Sequence, residues 1–138
     1  MADASSFNAK VLTPEGEVFD GDVTQVSTRT AHGEIGILAN HTPMLARLRP
    51  AELRLHKEGN EVESYAQAEG WLEVFGNHVL VLVGEAIKPE DLDTADIKER
   101  ISSAEKRLSE AETDSAAAKQ AELEKERYEA FLSVAEGS

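Results

Sequence analysis

The stretch GEIGILANHTP, residues 33–43, decides how the first half of this chain is interpreted. Its two glycines, Gly33 and Gly36, favour a positive φ or a close approach of backbone. The apolar residues beside them are typical of a strand that fills a core. The Asn-His-Thr-Pro run at 40–43 then predicts a rigid polar loop at one end of a β-structure, a common position for binding residues.

Around this stretch the chain alternates in period two, from Phe7 to about Ile87. Turn-forming residues separate the runs at 13–16, 58–60 and 76–77. Short alternating strands with such turns predict an antiparallel β-sandwich of about ten strands. The run at 78–83 is apolar at nearly every position, which predicts a central strand covered on both faces.

After Pro89 the period changes to that of a helix. One apolar stripe has spacings of four, three, four and three residues: Ile97, Ile101, Ala104, Leu108 and Ala111. Asp93 is a suitable N-cap, and the break at 113–115 offers a second cap. The sequence therefore predicts an α+β protein, with a β-sandwich at 1–88 and an antiparallel two-helix hairpin at 89–138.

The seam of that hairpin is rich in alanine and therefore thin. Each large apolar residue in it contributes about 1.5–3 kcal/mol if fully buried, and ordering two helices costs a comparable amount. The hairpin should be marginally stable and able to open. As one extended rod it would reach roughly 60 Å.

Composition excludes several kinds of partner. The formal charge of −13 repels nucleic acid and anionic lipid, so we expect a protein partner, although solubility alone explains the acidity equally well. The chain has no cysteine, so it has no disulfide or thiolate site. No apolar run approaches the roughly 20 residues of a membrane helix, so we expect no direct insertion into lipid.

The same residues give no indication of catalysis. The four histidines lack metal-ligand spacing, and no Ser-His-Asp set can be assigned from their order. The pair Gly33 and Gly36 is not followed by a helix, so it is not a phosphate-binding loop. We therefore expect no catalytic residue, no metal site and no cofactor.

Several motifs together resemble one family, the epsilon subunit of bacterial-type rotary (F-type) proton-translocating ATP synthases, whose mitochondrial equivalent is called delta. The signature at 33–43 matches almost position for position, and the other similar segments span essentially the whole chain: Pro14-x-Gly16-x-x-Phe19, Gly70-x-x-Glu73-Val74, Leu92-Asp93, Ala121-Glu122-Leu123 and Leu132-Ser133-Val134-Ala135-Glu136. The resemblance implies a non-catalytic subunit of the central stalk, at the cytoplasmic face of the bacterial plasma membrane.

The resemblance also implies the partners. The sandwich would dock on the gamma subunit and on the c-subunit ring, and would couple rotation of the ring to gamma. Four residues would meet the ring: Glu34, Asn40, His41 and Thr42. The opened hairpin would reach the beta and alpha subunits of the catalytic head and restrain ATP hydrolysis, through Lys119, Lys125 and Arg127.

Some positions depart from the family pattern. Ala51 and Glu69 each stand where glycine is usual, which predicts local differences in the turns. Some members bind ATP through a motif that Leu92, Asp93 and Arg127 match here. Asp96 and Ile97 occupy its Arg and Ala positions, and Phe131 replaces a further arginine. Because Asp96 puts a carboxylate where a cation would meet phosphate, we expect ATP binding to be weak or absent.

Charge and architecture leave two further expectations. Carboxylates outnumber cations after residue 89, so inhibition through the hairpin should be weaker than in relatives with basic tails. The alternative function is a free-standing β-sandwich adaptor that dimerises through its hairpin. Sedimentation separates the two, since the adaptor would form a concentration-dependent dimer.

Overall fold

A computed structural model describes residues 5–137, which form ten strands followed by two helices. The strands are β1 Phe7–Thr13, β2 Gly16–Val23, β3 Gln25–Thr30, β4 Gly33–Leu38, β5 Met44–Leu48, β6 Ala51–His56, β7 Val62–Gln67, β8 Gly70–Phe75, β9 His78–Val83 and β10 Ala86–Ile87. The helices are α1 Thr94–Glu110 and α2 Ala116–Ala135. Two 3-10 turns are also present: Glu58–Asn60 lies between β6 and β7, and Pro89–Asp91 lies between β10 and α1.

The strands form one continuous sheet folded into two layers. The first layer has the order β10-β7-β6-β3-β4 and is called the hairpin-side sheet below. The second has the order β5-β8-β9-β1-β2 and is called the open-side sheet. β3 joins the layers, because its first half pairs with β6 and Thr30 at its end pairs with Leu48 of β5. The predicted α+β sandwich is confirmed, with one parallel pairing, between β1 and β9.

One core fills the space between the two sheets. Every long strand contributes alternate side chains to it: Phe7, Ala9, Val11, Val23, Val26, Ile37, Leu48, Leu53, Leu55, Tyr65, Leu72, Val74, Val79, Val81 and Val83. All of these are at least nine-tenths buried. The period-two pattern of the sequence therefore corresponds to an inner apolar face on each strand.

The prediction that the strand at 78–83 is covered on both faces is wrong within the described residues. Val79, Val81 and Val83 point into the core, whereas Leu82 is 43% exposed on the outer face. An apolar run shows that both faces of a strand are apolar. It cannot show whether the same chain covers both of them.

The helices form an antiparallel hairpin, as predicted. In three contacts between them, the residue number falls along α1 as it rises along α2: Arg107 with Glu124, Glu105 with Lys125, and Arg100 with Tyr128. Both predicted caps are present. Asp93 accepts from the N–H of Asp96 at 3.1 Å, and Ser115 accepts from the N–H of Ala118 at 3.1 Å. Within residues 5–137, neither helix has the length and apolar character needed to cross a membrane.

The hairpin packs against the outer face of the hairpin-side sheet. Ala66 and Ala68 on that face meet Ile97 of α1 and Phe131 and Val134 of α2 in a second buried cluster. Four of these five residues are 5% exposed or less. The cluster is small, and two of its members are alanines, so docking of the hairpin rests on few large side chains.

Gly70 is required at the start of β8 because another strand passes close to it. A Cβ built on Gly70 would overlap the carbonyl oxygen of Leu82 and lie 2.8 Å from the Cα of Val83. Both atoms belong to the backbone of β9, so neither can rotate away. This close approach holds the start of β8 against β9, at the point where the chain passes from the hairpin-side sheet to the open-side sheet.

We predict that Gly70→Ala lowers the free energy of unfolding by about 2–4 kcal/mol, because β8 and β9 must move apart. The control is Gly84→Ala, whose Cβ would meet only the Ala68 side chain at 3.8 Å. Gly84→Ala should change the stability by less than about 1 kcal/mol. Urea denaturation of both variants measures the difference, and equal stabilities would contradict this account of Gly70.

Candidate docking surfaces

The outer face of the open-side sheet carries exposed apolar side chains. Leu45, Trp71, Phe75 and Leu82 are 68%, 46%, 44% and 43% exposed. They are called the apolar face below. Exposed apolar residues that cluster on one side of a protein, unlike scattered ones, mark interaction sites.

Strand register places this face in rows across the sheet. Arg47, Trp71, Leu82 and Leu12 are successive partners on β5, β8, β9 and β1. The Arg47 guanidinium lies over the Trp71 ring, 5.5 Å from its centroid. The row is therefore apolar with a cation at one end, a combination that protein interfaces favour.

A second row lies at the end of the sandwich near residues 39–43. Phe75 pairs with His78, and their rings stack with centroids 5.4 Å apart. The turn at 76–77 joins these two strands. A narrow crevice is lined jointly by this turn and by Asn40 and His41. Phe75 and His78 thus extend the apolar face toward the loop that the sequence singles out, although the exposed Glu73, which pairs with Leu45 and Leu80, lies in the row between.

The predicted ring-docking residues lie along β4. This strand pairs with β3 and forms one edge of the hairpin-side sheet. Asn40 follows β4 with a φ of 64°, and the His41 Nδ1 lies 2.7 Å from the carbonyl oxygen of Thr42. Glu34 stands at the other end of β4, where it pairs with Arg29 at 3.3 Å.

The structure therefore brings Asn40, His41 and Thr42 together but separates them from Glu34. At 3.3 Å per residue, Glu34 and Asn40 lie up to about 20 Å apart. At the Glu34 end of β4, Gly33 has a φ of 119°, a conformation that glycine adopts readily and that suits the turn from β3 into β4. Glu34 also lines a cleft of about 550 Å³ between α2 and the hairpin-side sheet, beside Glu126.

The three predicted hairpin contacts have different surroundings. Arg127 forms a bidentate pair with Glu69, with Nη2 donating to Oε2 at 2.7 Å and Nε to Oε1 at 3.2 Å. Lys125 lies 3.6 Å from Glu105 of α1. Lys119 is exposed near the start of α2. Two of the three cations are thus neutralised by carboxylates of the same chain.

Electrostatics strengthen the pair between Glu69 and Arg127. Burial raises the pKa of Glu69, but hydrogen bonds from Arg127 and from backbone outweigh it and leave that pKa below its ordinary value. The hydrogen bond to Glu69 is the main cause that raises the pKa of Arg127, and Glu85 adds to the effect. Both groups are charged at neutral pH.

The positions of the degenerate ATP motif have structural roles of their own. Leu92 packs against the buried cluster under the hairpin, and the Asp93 carboxylate caps α1. Arg127 is held by Glu69. Asp96, at the position of the family arginine, accepts from Arg100 at 2.8 Å. In this conformation each of these polar side chains has a partner within the chain.

Reasoning from sequence missed two features of these surfaces. The apolar face was not identified, although a tryptophan alternating with buried Leu72 was a usable signal. The role of Glu69 was also missed, and only its departure from glycine marked it. Within residues 5–137, no group of His, Asp and Glu side chains is arranged to hold a metal ion.

Comparisons with known proteins agree with the resemblance in the sequence. A family model described as ATP synthase, Delta/Epsilon chain, beta-sandwich domain matches residues 6–89. The ATP synthase epsilon chain of Halalkalibacterium halodurans is 38% identical, over 94% of this chain and 97% of its own length. That of Sulfurihydrogenibium sp. is 34% identical, over 94% and 96%, and that of Persephonella marina is 40% identical, over 91% and 93%.

Solved structures share the fold. A chain in the mitochondrial ATP synthase of Euglena gracilis superposes with a TM-score of 0.79 at 23% identity, covering 91% of this chain and 79% of that one. A chain in the central stalk and c-ring structure of Tetrahymena thermophila gives 0.63 at 18% identity, over 93% and 95%. On the family match and the identity over nearly full length, this chain belongs to the ATP synthase delta/epsilon family, among its epsilon chains.

Proposed function

We propose that this chain is a central-stalk subunit that couples rotation of the c-ring to the gamma subunit. Relatives of similar length are ATP synthase epsilon chains, and a structural neighbour belongs to a central stalk with its c-ring. The chain itself would hold no catalytic residue. A β-sandwich suits the transmission of torque, because a close-packed core deforms little under load.

The gamma subunit would dock on the apolar face. This is the observation that carries the proposal, since Leu45, Trp71 and Leu82 are exposed together on the layer that the hairpin leaves uncovered. Fully burying an exposed leucine contributes about 1.5–3 kcal/mol, and tryptophan is typical of interface hot spots. Arg47 beside Trp71 would provide orientation at the rim.

The c-ring would contact the β4 edge and the turn that follows it. Asn40, His41 and Thr42 would form one end of the footprint and Glu34 the other. The length of β4 makes this an elongated contact rather than a single loop. An exposed strand edge with a rigid polar turn fits the polar loops of a ring.

The hairpin would be the regulatory part. In the opened form, Lys119, Lys125 and Arg127 would face the beta and alpha subunits of the catalytic head and restrain hydrolysis. In the folded form, Lys125 and Arg127 are paired within the chain. The resemblance implies that these cations would meet an acidic segment of the beta subunit. The excess of carboxylates in the hairpin opposes docking there, so the restraint would be weak.

The adaptor alternative is less well supported. Its dimer would use the apolar seam of the hairpin, yet Ile97, Phe131 and Val134 pack against the sandwich of the same chain.

As a central-stalk subunit, the chain would be a peripheral part of the synthase, at the cytoplasmic face of the bacterial membrane.

We predict that Trp71→Ala weakens binding to purified gamma by about 30-fold, because a central aromatic anchor is removed. Calorimetric titration of gamma measures the affinity. Val62→Ala is the matched control, since Val62 is 45% exposed on the hairpin-side sheet. Equal affinities for the two variants would place gamma on another surface.

We predict that deleting residues 91–138 raises ATP hydrolysis by the assembled synthase less than about twofold, since the acidic hairpin restrains it weakly. The assay compares complexes carrying the full and the shortened chain. Activation by an order of magnitude would overturn the proposal of weak inhibition.

We also predict that ATP binds this chain weakly or not at all, because Asp96 replaces a phosphate-facing cation and Arg127 is held by Glu69. Titration calorimetry of the purified chain with ATP and Mg²⁺ tests this. Micromolar affinity would contradict the prediction.

A further inference from the structure

Two neighbouring residues of α2 bind the sandwich with opposite charges. Glu126 accepts from the Arg49 Nε at 2.7 Å, and Arg127 donates twice to Glu69. Phe131, which belongs to the buried cluster, follows these two residues by about one turn of α2. They join segments that are 77 and 58 residues apart.

The backbone of both partners on the sandwich is anchored by hydrogen bonds. The N–H of Arg49 donates to the carbonyl of Arg29 at 3.0 Å, and its own carbonyl accepts from the fully buried Gln67 at 2.8 Å. Glu69 accepts from the N–H of Gly84 at 3.3 Å and precedes the tightly packed Gly70. The backbone at Arg49 and Glu69 therefore stays in place if α2 moves, and only the two side chains can follow the helix.

The geometry points to a two-pair clamp that fixes where α2 docks and sets how easily the hairpin opens. Because the pairs have opposite polarity, a rotation of α2 that exchanged its two charged residues would set Glu126 against Glu69 and Arg127 against Arg49. Such like-charge contacts are costly, so only one orientation of the helix is favoured.

The two pairs contribute unequally. The side chains of Arg127 and Glu69 are 25% and 34% exposed, and those of Arg49 and Glu126 are 49% and 35% exposed. Better shielding from solvent and bidentate geometry make Glu69 the stronger partner. Glu69 thereby competes with any acidic partner for Arg127. That regulatory consequence rests on the function proposed above, whereas the clamp itself does not.

Spin labels on the full-length chain test the clamp. Arg54→Cys and Glu129→Cys place labels on β6 and α2, across the cleft that both residues line. The chain has no native cysteine to interfere. Pulsed electron paramagnetic resonance then gives the ratio of open to closed hairpins.

In this background Glu69→Gln should raise the open-to-closed ratio roughly 5- to 30-fold, and Glu126→Gln should raise it less. The control is Glu61→Gln, which removes a 70% exposed carboxylate that pairs with Lys57 of the sandwich and should leave the ratio unchanged. Circular dichroism verifies that each variant is folded. Ratios for Glu69→Gln and Glu126→Gln that equal the control would overturn the clamp.

The hydrolysis assay is independent of this result. If Glu69→Gln opens the isolated chain, the clamp stands whatever the hydrolysis assay gives. The regulatory role fails only if deletion of residues 91–138 also leaves hydrolysis by the assembled synthase unchanged. If the labels stay close in every variant, the clamp fails whatever the hydrolysis assay gives.

Discussion

Both outer surfaces of the β-sandwich carry apolar side chains, and the structure depends on covering them. The inner faces of the two sheets fill a single core, so each outer face needs a separate cover. On the hairpin-side sheet Phe131 and Val134 supply it by packing on Ala66 and Ala68. On the open-side sheet Trp71 and its neighbours remain exposed. One outer face is therefore covered by the chain itself, and the other is left open to a partner.

The two covers differ in strength for physical reasons. A partner that buries large side chains such as Trp71 and Leu45 can be held firmly, as a rotor joint requires. The hairpin rests on alanines, a few large residues and two partly exposed ion pairs, so we expect it to detach at modest cost. One firm and one releasable attachment are what the coupling and regulatory roles proposed above would need.

Local patterns in the sequence predicted the elements well, because each one depends on near neighbours. The caps Asp93 and Ser115 act on residues three positions away, and period two follows directly from strand geometry. Long-range relations were not accessible. The pair between Glu69 and Arg127 spans 58 residues, and no local pattern encodes it.

Sequence distance and composition each leave part of the arrangement open. Glu34 and Asn40, whose role in docking stays a prediction, are close in sequence, and an extended strand separates them in space. Leu82 lies in an apolar run, but the cover for its outer face is absent from the described residues. In the second case the excess of apolar residues is itself informative, since it indicates a surface meant for another chain.

Hydroxyl-radical footprinting of the chain, alone and bound to gamma, tests the central claim most directly. The account predicts that oxidation of Leu45, Trp71 and Phe75 falls several-fold in the complex. Val62 and Leu123, which are exposed elsewhere, should be oxidised equally in both samples. Unchanged oxidation of the apolar face in a stable complex would contradict the account.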